Sequence, residues 1–349
     1  MQKYYSIEFL RFLCALAVAI YHWGLSFDLM NMESNQTFNF TLGFIYQFGD
    51  KAVPVFFVIS GLVFANVYLP KKKNETLYSF TIKRFARLYP LHLMTLFLIF
   101  FIQMLFFKIY GKYELYTYND FYHFFLNLTF LLGWNFELGR SFNTPVWTVG
   151  QEIFIYFLFF SLIFLIKKYR IRFIVLLYLL FLIIDKTKFV EIGYIKNLIN
   201  FSYFVDFVRF FFSGVLIYYI IEKFRYSKRL FLISILLFII SFIGTFKLHL
   251  FCFSTVLVFV IFDNFKLNYK CKKIFTILGS LTYSIYLLHT LTFLLFLFFF
   301  KFFDMTYLFY YNITFLIYII FTLILSLISF EFFENKLNKL IRKKFIDNK

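Results

Sequence analysis

Apolar residues gather along this chain in runs near 20 residues, separated by short stretches rich in lysine and arginine. The pattern predicts membrane-crossing helices at about 7–27, 52–69, 88–109, 147–166, 171–185, 203–221, 230–246, 248–262, 274–300 and 306–330. A further apolar stretch, Tyr122–Gly133, is too short for a span and reads as a re-entrant or interfacial segment. The fold class is therefore all-α: a polytopic bundle of about ten spans plus one short helix.

The connections carry the orientation signal, because cytoplasmic loops hold an excess of Lys and Arg. Lys71, Lys72, Lys73, Lys83, Arg84 and Arg87 form one basic cluster, and Lys167, Lys168, Arg170 and Arg172 a second. Lys223, Arg225, Lys228 and Arg229 follow, then Lys266, Lys270, Lys272 and Lys273. The tail, from about residue 331, adds Lys336, Lys339, Arg342, Lys343, Lys344 and Lys349. Ten spans with both termini inside put all these clusters on one face. Counting 122–133 as a full span would move four of them outside. In this topology 28–51, with Asp28, Glu33 and Asp50, faces out.

Composition agrees. The chain is 62% hydrophobic and 26% aromatic, with 62 Phe, 27 Tyr and mean hydropathy +0.78, which no soluble core requires. The formal charge of +18 lies in loops between apolar runs, so nucleic acid is not the expected partner. The partner is the bilayer itself. Cys14, Cys252 and Cys271 have no metal-ligand spacing, and two lie in apolar runs, so neither a metal nor a disulfide framework is expected. The first run lacks a small-residue cleavage site and is expected to remain. One membrane domain, 1–349, accounts for the chain.

Ionisable residues inside spans are costly and mark functional sites by default. Ile7–Phe27 carries Glu8, Arg11 and His22. Arg11 and His22 share a helix face about three turns, or roughly 16 Å, apart. Each has an ordinary explanation in isolation, Arg11 as an interfacial snorkel and His22 as an interhelical hydrogen-bonder. Arg84-Phe-Ala-Arg87 puts two guanidinia at i and i+3, a fork suited to phosphate as well as a basic anchor.

In Asn143-Thr144-Pro145-Val146-Trp147, Thr144 and Pro145 read as the N-cap and first residue of a helix. Glu152 then falls inside that span, where a lone carboxylate is expensive. Trp147 also suits an aromatic belt. Within Leu278–His289, Thr282, Tyr286 and His289 form one stripe, beside Tyr283, that lines a polar cavity or glues helices. Asp206 and Arg209 are spaced for an ion pair; His92, His123 and His249 read as ordinary helix or interface residues.

These motifs in this order resemble the acyltransferase-3 family: Arg11 with His22, Arg84-x-x-Arg87, Trp147 with Glu152, and Tyr283-Ser-x-Tyr286-Leu-x-His289. Val53–Gly61 is similar to the family's second helix, and Arg209–Gly214 to its Arg-then-Gly segment. The chain departs from the family pattern at Thr148-Val149, where Ser-Leu is usual, and at Thr282, where Ser is usual; both keep a hydroxyl. The resemblance covers roughly 5–330. It implies an integral membrane O-acyltransferase of the plasma (bacterial inner) membrane. The expected donor is cytoplasmic acyl-CoA, most often acetyl-CoA, and the acceptor an extracytoplasmic glycan or lipid-linked sugar such as lipopolysaccharide O-antigen, capsule or exopolysaccharide. No appended esterase-like domain follows residue 349, so transfer is expected within the membrane unit or with a separate partner.

On that footing Arg84 and Arg87 would hold coenzyme A phosphates, and Arg11 the phosphate end or the pantetheine arm. His22 is the candidate general base and Glu152 its orienting or charge-steadying partner. Asn143, Trp147, Arg209, Tyr283, Tyr286 and His289 would line the cavity. Direct transfer is favoured, with a transient acyl-histidine as the alternative. The main rival is a glycan or lipid-linked sugar transporter or flippase, which would bring paired discontinuous helices and repeat symmetry. A polymerase or ligase would place catalytic charges in a large outer loop, yet 28–51 and 110–146 hold few cations. A binding-only receptor leaves Arg11, His22 and Glu152 unexplained.

Overall fold

The computed structural model describes residues 3–29, 43, 45–46, 48–70, 75–186, 199–224, 227–243, 246–263 and 267–347 of the 349. Most of the expected outer segment 28–51, with Glu33, lies outside the described residues, as do Lys71, Lys72, Lys73, Arg225, Lys266 and Lys349. Among the described residues there are helices and no strands. In chain order they are α1 Tyr5–Leu29, α2 Ala52–Tyr68, α3 Leu77–Tyr110, α4 Phe121–Leu128, α5 Val146–Tyr169 and α6 Ile171–Lys186. There follow α7 Ile199–Phe224, α8 Lys228–Ile240, α9 Leu248–Phe262, α10 Tyr269–Ser280, α11 Thr282–Phe302, α12 Asn312–Ser329 and α13 Asn335–Arg342.

Seven of the described helices have the length and apolarity to cross a membrane: Tyr5–Leu25, Gly49–Tyr68, Leu77–Tyr110, Val146–Tyr169, Tyr203–Phe224, Thr282–Phe302 and Asn312–Ile346. The other three expected spans are shorter. Ile171–Ile184 and Leu248–Phe262 are apolar but brief, and Lys228–Ile240 has 13 residues, about 20 Å at 1.5 Å per residue. Phe121–Leu128 has eight residues, about 12 Å, and cannot span.

Two expected boundaries are corrected. The 274–300 run is not one helix: α10 stops at Ser280, Leu281 forms a turn, and α11 begins at Thr282. A Gly-Ser pair is a common place for a helix to break. Gly279 is also where Glu8 packs, so closely that a Cβ would collide with it. The tail beyond 330 is helical too. A π-helical turn, Phe330–Glu334, joins α12 to α13 without ending the helix. α3, at 34 residues, starts well before its apolar stretch, so Arg84 and Arg87 sit inside its basic first turns. Thr76 caps its start by accepting from the Ser79 N–H, and Gly111 at φ 71° ends it.

The chain forms two compact units. The first comprises Met1–Cys14, Lys51–Glu75 and Gln151–Gly279. Its centre is the crossing of α2 and α7, where a Cβ on Gly61 would meet the Phe211 carbonyl and one on Gly214 the Val58 carbonyl. Small residues are what allow helix backbones to approach this closely in a membrane. Phe57 stacks on Phe207 at 4.1 Å and Phe64 on Tyr156 at 4.1 Å beside that crossing.

The second unit comprises Ala15–Asp50, Thr76–Gly150 and Ser280–Lys349. Trp23 is its aromatic hub, with Phe293, Phe309, Phe315 and Tyr318 around it. His92 Nε2 donates to the Asn127 carbonyl at 2.8 Å, which ties α4 to α3. Asp120 caps α4, accepting from the His123 N–H at 2.8 Å and the His123 ring at 2.7 Å. Burial acts against ionisation of Asp120, but the His123 hydrogen bonds and charge outweigh it and hold the carboxyl below its usual range.

Candidate functional site

In the second unit α1 and α11 bring two histidines together. The His22 and His289 ring centroids are 4.9 Å apart. His22 Nδ1 lies 2.9 Å from the Val18 carbonyl and His289 Nδ1 3.1 Å from the Ile285 carbonyl, each one turn back along its own helix. A carbonyl can only accept, so both Nδ1 atoms carry the hydrogen, and in the neutral rings both Nε2 atoms carry a lone pair. His289 is wholly buried, whereas His22 keeps part of its surface accessible. His22 is thus the partly accessible imidazole of the two, with its lone pair on Nε2.

The corner that opens α5 is bolted to α11 just before His289. Asn143 Nδ2 donates to the Leu287 carbonyl at 3.0 Å and also meets Thr95 Oγ1 at 3.4 Å. The Tyr286 and Thr148 hydroxyls are 2.7 Å apart, and both reach the Pro145 carbonyl at 3.1 Å. Tyr283 donates to the Leu88 carbonyl at 2.6 Å, directly after Arg87. Gly133, whose φ of 89° suits glycine, lies against the main chain of Trp147, where a Cβ would meet the Trp147 carbonyl. The helix opens at Val146, one residue later than the sequence suggests. The Thr144 hydroxyl turns away from it to the Ser141 carbonyl at 3.2 Å.

Arg84 and Arg87 lie on the basic end of α3, Arg84 with its guanidinium 5.8 Å from the Phe80 ring and Arg87 exposed. The remaining expected site residues belong to the first unit. Arg11 pairs with Glu8 at 3.1 Å. Glu152 Oε1 accepts from Ser60 at 2.7 Å and from the Tyr156 hydroxyl. The Asp206–Arg209 ion pair is present at 2.8 Å, and His249 Nε2 joins Asp206 at 3.2 Å. Phe210 stacks on the His249 ring at 4.0 Å, and Arg209 lies 5.4 Å from the Tyr178 ring centre. No group of three or more His, Cys, Asp or Glu among the described residues is placed to hold a metal.

Four neighbours of these residues were not singled out as site residues by the sequence. Ser60 and Tyr156, which hold Glu152, are ordinary in composition. Arg140 bears electrostatically on both His22 and the Tyr116 phenol, and its one signal was being a cation in a cation-poor segment. Tyr116 shares a hydrogen bond with Thr144. Burial raises the Tyr116 phenol, and that effect outweighs the opposing Thr144 hydrogen bond and Arg140 charge, so it stays a protonated donor.

The sequence matches the family model described as an acyltransferase domain (acyltransferase-3) over residues 4–331 of 349. No curated protein and no solved structure matches at a significant level. With nearly the whole chain covered and with helices built to cross a membrane, this protein belongs to the acyltransferase-3 family of membrane acyltransferases.

Proposed function

We propose that this chain moves an acyl group, in the first instance acetyl, from acyl-CoA on the cytoplasmic side to a hydroxyl of an extracytoplasmic glycan or lipid-linked sugar. One observation carries this: His22, in a family of acyltransferases, presents a partly accessible imidazole whose Nδ1–H is fixed by the Val18 carbonyl, which puts the basic lone pair on Nε2. In the reaction His22 Nε2 takes the proton of the acceptor hydroxyl as its oxygen attacks the thioester carbonyl. The carbon–sulfur bond breaks, and His22 returns the proton to the departing thiolate. Proton and acyl group are both accounted for, so no further reactant is needed.

Arg84 and Arg87 hold the coenzyme A phosphates by charge-assisted bonds. α1 runs unbroken past both Arg11 and His22, roughly 16 Å apart along its axis, a distance an extended pantetheine arm covers. Arg11 serves the phosphate end or the arm. Within the second unit Asn143, Trp147, Tyr283, Tyr286 and His289 shape the cavity walls; within the first, Glu152, held by Ser60 and Tyr156, is the supporting carboxylate, and Arg209 is kept as a substrate-side residue. Both termini face the cytoplasm, which requires α6, α8 and α9 to cross despite their length. The protein resides in the plasma membrane, the inner membrane of a bacterium.

Mass spectrometry of surface glycans from cells with and without this chain tests the function. An acyl mass shift that depends on the chain, and on His22, is expected. A change in glycan amount at the surface with no acyl shift would point to a transporter or flippase instead.

A further inference from the structure

Glu334 has no part in the chemistry so far, yet it is a half-buried carboxylate inside the long C-terminal helix. It closes the π-helical turn Phe330–Glu334, and π-turns within α-helices are frequent at functional sites because the wider turn re-aims a side chain. Its Oε1 accepts from Ser284, a fully buried hydroxyl beside Tyr283, and from Ser329 at 3.3 Å. α13 and the π-turn pack against α3, the helix that carries the arginine fork. Among the described residues Arg87 is the cation whose charge bears on Glu334. Tyr283, next to Ser284, is bonded to Leu88, next to Arg87, so the chain neighbours of Ser284 and Arg87 are fixed to one another.

A carboxylate drawn partly out of water needs hydrogen bonds and a cation beside it, and here two serines supply the first and Arg87 the second. Arg87 is exposed, and an exposed arginine loses much rotamer freedom when it is made to grip one phosphate. We infer that Glu334 is a positioning residue for Arg87: its fixed negative charge holds the guanidinium in the orientation that receives a phosphate of the acyl donor. This rests on the reading of Arg84 and Arg87 as the donor-binding fork. The arrangement pre-organises the fork before the donor arrives, which is where affinity is gained.

Glu334→Gln keeps the shape and the serine hydrogen bonds and removes only the charge. With full-length protein in detergent and coenzyme A itself as the probe, Kd is expected to rise about tenfold. The KM for acyl-CoA should rise by a similar factor, while kcat and the KM for the acceptor stay within about twofold. In an Arg87→Ala background the same change should add nothing, since residues acting through one another are non-additive. An unchanged or tighter Kd in Glu334→Gln overturns the inference, as does an equal loss in the Arg87→Ala background. Should Glu334→Gln fail to fold, Glu334→Asp decides the matter: its shorter reach must weaken coenzyme A binding with kcat preserved, and wild-type affinity there overturns the inference. Wild-type protein that binds no coenzyme A would instead overturn the donor assignment on which this depends.

Discussion

His22 and His289 lie ring to ring at 4.9 Å with their planes at 43°, and each is locked into the same tautomer by its own helix. Two imidazoles this close will not both carry a positive charge, because like charges in a weakly polar interior repel strongly. Beyond the two Nδ1 hydrogens, the pair can therefore hold one further proton, and His22 is the ring with accessible surface.

His22→Ala or His22→Gln should cut acyl transfer by about 10²–10⁴-fold, the usual cost of losing a general base, with expression and coenzyme A binding near normal. His289→Asn should cost less, because the buried ring acts only through His22. Turnover by purified variants with acetyl-CoA measures both. Near-wild-type turnover in His22→Ala would shift the assignment to His289.

Arg84→Ala and Arg87→Ala should each weaken coenzyme A binding while the protein folds and inserts normally, since the remaining basic residues keep the orientation signal. Lysine at either position should restore binding only in part, because an ammonium lacks the two-pronged geometry. Titration with coenzyme A reads the effect, and unchanged affinity in the double alanine variant would make the pair a plain membrane anchor.

Glu152→Gln tests whether the carboxylate works through charge or through structure. The amide can still accept from Ser60 and Tyr156, so the fold should survive. Turnover should drop strongly at near-normal protein yield; a loss of protein in proportion to activity would show a structural role.

Gly61→Ala and Gly214→Ala should each destabilise the first unit, because each methyl meets a backbone carbonyl that cannot move without separating α2 from α7. Overpacking of this kind typically costs about 1–3 kcal/mol. Thermal denaturation in detergent should show a clear fall in Tm for both, and an unchanged Tm would mean that the helices separate freely.

Orientation can be read by cysteine labelling in a background with Cys14, Cys252 and Cys271 replaced by serine. Lys339→Cys should resist an impermeant reagent in intact cells, and Leu138→Cys should react. Labelling of Lys339→Cys from outside would reverse the topology.

The sequence by itself determined that this is an all-helical membrane protein, because runs of Leu, Ile and Phe near 20 residues suit little but a bilayer. It also singled out Arg11, His22, Arg84, Arg87 and Glu152, since charge and imidazole stand out against an apolar background. Their partners were not legible. His22 meets His289, Asn143 meets Leu287, and Gly61 lies against Phe211 through contacts between residues far apart in the chain, which no local period encodes. The break at Leu281 was hidden for a related reason: hydropathy reports where a segment can be buried, whereas the turn falls just after Gly279, where Glu8 of a distant helix packs. Glu334 was lost within a basic tail, and only a π-turn that aims it at Ser284 and Ser329 distinguishes it from a solvated charge. Burial pattern follows from composition, but which polar groups answer one another is decided by tertiary packing.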